Sequence, residues 1–236
     1  MANNLDQIVE KLRKALDTSL VSVVLYGSAA TGDHVEKFSD YNILCVLAKI
    51  TPVELRAAES VFRWWREQGN PSPLLLTEHE LKTSTDCFAI EFHDIREHHR
   101  ILYGPNLVDT LEIDRSFYRA QVESELRTKL LRLRQKAAGL LSDKDALRRL
   151  LADSVSTFCV LFRHALLLDG AAAPVRKRDI VEAAGLHFGI DAAPFLTLLD
   201  HRGQKVKAKE IEPEPLFARY MIQIEKVIDA VDVLAK

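Results

Sequence analysis

A chain of 236 residues with 47% hydrophobic and 28% charged residues has room for one large or two modest soluble domains. Its formal net charge of -2 excludes a global basic field able to hold a long nucleic acid nonspecifically. The opening MANNLDQIVEKL lacks a basic segment followed by an apolar core, and the apolar runs break before the ~20 residues needed to span a bilayer. Neither a secretory signal nor a membrane span is therefore expected. Cys45, Cys87 and Cys159 are far apart, sit beside apolar neighbours and lack zinc-ligand spacing, which predicts buried reduced thiols and a cytoplasmic protein.

Leu5, Ile8, Val9, Leu12 and Leu16 recur at helical spacing, predicting a helix over about 4–17. The Val- and Leu-rich run LVSVVLY, Leu20 to Tyr26, reads as a buried strand that ends at Gly27-Ser28. A second strand is expected over Tyr41 to Leu47. Pro52 marks the first turn of an amphipathic helix that ends before Gly69-Asn70-Pro71. In that helix one of Trp64 and Trp65 is expected in the core. PLLLTE (73–78), FAIEF (88–92) and ILYGPN (101–106) are three further strand candidates. This alternation argues for an α/β sheet domain over residues 1–113.

The pattern changes after Asp114. Residues 116–141 lack Pro and repeat Leu every three or four positions; Ser142-Asp143-Lys144-Asp145 resembles a capping box opening a second long helix to about Asp169. Shorter helices over 179–188 and 191–200 and a last one over 215–234 make residues 114–236 an all-α helical bundle. The fold class expected is thus α+β, a mixed sheet with flanking helices followed by a bundle, with a long apolar helix face available for a homodimer.

Chemistry concentrates in YGSAATGDHVEKFSDYNILCV. Gly27 has no Cβ, so backbone can approach a ligand there. Amides at a helix start, with the Ser28 hydroxyl beside them, suit phosphate oxygens. Asp40 would lie across that turn, where a hard cation can bridge it to a triphosphate. Asp33 reads as a loop or capping residue. The run REHHR places His98 and His99 in different directions, which disfavours a shared metal. The basic clusters VRKRD (175–179) and KVKAK (205–209) read as solvated faces or as contacts to an anionic substrate or triphosphate tail.

This segment resembles the signature of the DNA polymerase β-like nucleotidyltransferase superfamily: a Gly-Ser turn, a loop, an acid-x-acid pair on the next strand and a third acid later. Gly27 and Ser28 match the turn and Asp40 the first acid, whereas Asn42 stands where the second acid belongs. On the predicted FAIEF strand Glu91 is the third acid, with Asp94 as the alternative. The bundle is similar, more loosely, to that of aminoglycoside and related small-substrate nucleotidyltransferases.

The resemblance implies Asp40 and Glu91 as catalytic acids, Gly27, Ser28 and Asn42 at the nucleotide, and Asp40, Asn42 and Glu91 as ligands of Mg2+. It implies transfer of a nucleoside monophosphate from a nucleoside triphosphate, ATP foremost, to a small-molecule or protein hydroxyl. Asn42 removes one charge from the metal site. Two unit charges ~4 Å apart attract by about 4 kcal/mol at an effective dielectric near 20, so metal affinity is expected to fall. The alternative is a catalytically weak or inactive nucleotide-binding regulator, or an antitoxin-like component. Between Ser116 and Lys236 no Arg is followed by His after four to six residues, which disfavours a ribonuclease role for the bundle. The P-loop, GxGxxG and HExxH patterns are missing as well.

Overall fold

A computed structural model describes residues 4–31 and 41–234. The chain divides into two compact units, Met1–Arg115 and Ser116–Lys236.

The first unit is built on a mixed four-stranded sheet of β1 (Leu20–Tyr26), β2 (Asn42–Leu47), β3 (Leu74–Thr77) and β4 (His99–Tyr103) in the order β3-β2-β1-β4. β1 pairs antiparallel with both β2 and β4, and β2 pairs parallel with β3. Helices α1 (Asn4–Leu16), α2 (Ser28–Thr31), α3 (Pro52–Glu67), α4 (Glu78–Thr83) and α5 (Ala89–Glu97) complete the unit.

Alternation along the strands sorts two cores. Val23, Leu25, Ile43, Cys45 and Leu47 pack with Leu5, Ile8 and Leu12 of α1 and with Ala58, Val61 and Trp65 of α3. The other face sets Val24, Leu44 and Val46 against Leu81 of α4, Phe92 and Ile95 of α5, and Val108 and Leu111. Trp65 is fully buried, while Trp64 is only partly so and lies under Lys11, whose Nζ is 4.9 Å from the ring. Burial of one large apolar side chain contributes about 1.5–3 kcal/mol. Ser22 is the polar exception inside β1, and its hydroxyl is satisfied by the carbonyls of Tyr103 (3.1 Å) and Pro105 (3.0 Å). Gly104 lets the chain turn there: a Cβ would meet the Val21 carbonyl oxygen at 2.0 Å.

Helix α3 begins where the sequence places it, in a capping box. Thr51 accepts from the first-turn backbone, and the Thr51 amide donates to the Glu54 carboxylate at 3.0 Å. One predicted strand is overturned. FAIEF is the start of α5, in which the Phe92 amide donates to the Phe88 carbonyl and the two rings meet edge-on, 6.1 Å apart.

The second unit is helical throughout its described residues: α6 (Tyr118–Ala138), α7 (Lys144–Leu168), α8 (Lys177–Phe188), α9 (Ala193–Arg202) and α10 (Pro213–Val233). Asp143 caps α7, accepting from the amides of Asp145 and Ala146. α7 is the central helix. Phe158 and Phe162 project from it into an aromatic stack with Phe195 and Tyr220. By length and hydropathy α7 is apolar enough to cross a membrane, but 61% of its most apolar window is buried within the protein. That burial is what a central bundle helix requires. Cys45 and Cys159 are buried and free, and burial pushes both thiols up to about 12, but Cys87 is exposed, contrary to expectation.

Candidate nucleotide site

The site is assembled at the end of β1. Strand register sets Tyr26 opposite Asn42 of β2 on one side and opposite His99 of β4 on the other. The chain then turns at Gly27, whose φ of +78° lies in the left-handed region that favours glycine. A Cβ at this position would sit 3.1 Å from the Asn42 side-chain nitrogen. Ser28 opens the short helix α2, and the Ala30 amide donates to the Gly27 carbonyl at 2.9 Å, which closes the turn. Gly27, Ser28 and Asn42 are thus brought together at one sheet end. Asp40 and Asp33 lie outside the described residues.

The strand that carries Asn42 is clamped just ahead of it. The Tyr41 amide donates to the Asn70 side-chain oxygen at 3.1 Å, so the Gly69-Asn70-Pro71 turn fixes where β2 begins. Asn42 shares strand parity with Leu44 and Val46, which places it on the sheet face covered by α4 and α5. Tyr26 packs against the same core.

Glu91 comes to this face by a different route from the one expected. It sits in the first turn of α5 and is exposed to solvent, instead of alternating with apolar neighbours on a strand. Its negative charge nevertheless reaches Tyr26. Burial first, and the Glu91 carboxylate second, push the Tyr26 phenol above its ordinary value. Asp94 lies one turn further along α5, half-buried. Among the described residues, the Asn42 amide and the Glu91 carboxylate on this side of the sheet are hard oxygen donors of the kind magnesium takes.

His98 and His99 do not converge on one point. His98 ends α5, while the His99 ring lies between the Arg96 carbonyl (3.2 Å) and the Asn106 amide (3.1 Å). In the second unit the two basic clusters meet at Asp200, whose carboxylate pairs with Arg178 and whose carbonyl accepts from the Lys205 amide at 2.8 Å. Sequence reasoning missed Asn70 and Tyr26. The first was legible only as a helix breaker and the second only as a strand residue, because both act through tertiary neighbours.

No family model and no curated protein matches the sequence. The crystal structure of spectinomycin adenyltransferase AAD(9) from Enterococcus faecialis, with ATP and spectinomycin, superposes with a TM-score of 0.63 at 13% identity, over 97% of this chain and 98% of that one. The chain has the nucleotidyltransferase fold. A toxin-antitoxin structure with AMP-PNP matches with a TM-score of 0.31 at 17% identity, over 44% of this chain and 77% of that one. Within the nucleotidyltransferase fold, the turn from β1 into α2 is where the Gly-Ser signature of the sequence falls.

Proposed function

We propose that this chain is a nucleotidyltransferase that moves a nucleoside monophosphate, with ATP as the donor, to a hydroxyl of a small molecule or protein. The observation that carries this reading is the Gly27 turn set against Asn42: a left-handed glycine ends β1 where a helix begins, and any Cβ would intrude on the neighbouring side chain. Such a turn leaves backbone amides open to phosphate oxygens. Support also comes from the AAD(9) likeness, since that protein is an adenyltransferase solved with ATP.

In this reading Gly27 and Ser28 hold phosphate, and Asp40, Asn42 and Glu91 would hold magnesium. The ion, when bound, supplies charge neutralisation to the phosphates and activates the acceptor hydroxyl. Asn42 offers an amide oxygen without adding charge, and Glu91 brings a carboxylate whose charge reaches Tyr26. Phosphate binding thus depends less on Asn42 than turnover does. The location we infer is the cytoplasm, where ATP and magnesium are both available.

Asn42 favours a second reading, a nucleotide-binding regulator with weak or no turnover, including an antitoxin-like component. Incubation of the purified chain with ATP, magnesium and a panel of aminocyclitols, other hydroxylated small molecules and proteins separates the two. Pyrophosphate release that requires an acceptor and disappears in Asp40→Asn supports the transferase. ATP binding without pyrophosphate release for any acceptor supports the regulator, and absence of ATP binding overturns both.

A further inference from the structure

A groove of about 240 Å³ opens between α6 and α7 of the second unit. Its rim carries Lys129, Arg132 and Lys136 of α6, and its opposite wall Asp153, Ser154 and Thr157 of α7; Leu133, Leu150 and Phe158 form an apolar floor. The three cations are spaced three and four residues apart, so they share one helix face and repel one another. The opposite flank of α6 is arranged differently. There Arg127 and Arg134 are neutralised by acids, Glu123 and Asp232 for the first and Glu225 for the second.

At the groove the balance is unmatched. Lys129 is engaged by Glu125 at 3.1 Å, but among the described residues no ion pair engages Arg132 or Lys136. Asp153 is the one carboxylate in the lining and makes no ion pair with the three cations. The Ser154 hydroxyl is committed to the Leu151 carbonyl at 2.8 Å and to the buried Tyr220 hydroxyl at 3.1 Å, so it fixes the wall. Phe158 and Leu133 are almost fully buried, giving the floor a rigid base.

We propose that this groove is a binding site for a small organic anion, an oxyanion group carried on a compact apolar body. The Arg132 guanidinium takes the oxyanion through its planar fork, Lys136 adds charge, and the body rests on Leu150, above the buried Leu133 and Phe158. The volume lies just below the ~300–1,000 Å³ of pockets for drug-sized ligands, which limits the body to about one ring. The site lies wholly within the second unit and does not depend on the nucleotide reading.

Calorimetric titration of the full chain with phenyl phosphate and with benzoate, with and without excess ATP, tests the proposal. Binding of either probe is expected, weakened roughly tenfold by Arg132→Ala and reduced by Lys136→Ala and by added salt. Tighter phenyl phosphate assigns the oxyanion as phosphate, and tighter benzoate assigns it as carboxylate. Both substitutions fall on exposed positions, so the fold is kept. Absence of binding by both probes, or affinities unchanged in both variants, overturns the site.

Discussion

The Cβ that Gly27 lacks would stand 3.1 Å from the side-chain nitrogen of Asn42. The two residues therefore constrain each other: the turn keeps glycine, and the Asn42 amide fills the space a side chain would take. Gly27→Ala combines a left-handed φ of +78° with that contact. It is expected to cost about 1–2 kcal/mol of stability in urea denaturation and to weaken ATP binding. Unchanged stability and affinity would mean that the turn relaxes freely and does not shape the site.

Restoring an acid at position 42 tests whether the departure from the acid-x-acid pattern is the whole defect. Asn42→Asp returns a full charge to the position proposed to face magnesium. Magnesium-dependent ATP affinity is expected to rise at least ~tenfold, because charge pairs at this separation are worth a few kcal/mol at protein dielectric. An unaltered affinity would show that the site has diverged at more than this residue.

Glu91 and Tyr26 offer a test that does not require a ligand. Burial and the Glu91 charge both favour the neutral phenol, so the folded value lies above the unfolded one. A raised folded value gives a stability contribution that is full below the unfolded pKa of ~10 and is lost as pH rises through the folded value. Glu91→Gln is expected to lower the Tyr26 titration measured by tyrosinate absorbance and to make that stability loss smaller, because it narrows the gap between the folded and unfolded values. A Tyr26 titration identical in the variant would place Glu91 away from this sheet face.

Much of the fold was legible because its elements carry unambiguous patterns. LVSVVLY is β-rich and bounded by a turn signal, and it is β1 from Leu20 to Tyr26. Pro52 and the capping residues before Lys144 marked helix starts that the structure retains. FAIEF failed for a physical reason. Five residues with alternating apolar character satisfy a strand period, yet Phe88, Phe92 and Ile95 are also spaced by four and three, which is the helix period. Burial of both Phe92 and His93, neighbours that a strand would point apart, decides for the helix. The same misreading placed Glu91 on a strand, whereas it sits in the exposed first turn of α5.

At the candidate site, Gly27 and Asn42 were visible in the sequence because a motif links them across a short loop. Asn70 was not. Its hold on the Tyr41 amide joins positions 29 residues apart, and no local pattern encodes it. Tyr26 became informative only through its neighbours in register, Asn42 and His99.

The most direct test of the nucleotide site is calorimetric titration of the purified chain with ATP, with and without magnesium, beside Asp40→Asn. Magnesium-dependent binding is expected, lost in the variant while its thermal unfolding stays the same. Equal magnesium-dependent affinity in both proteins, or no ATP binding by either, would contradict the site.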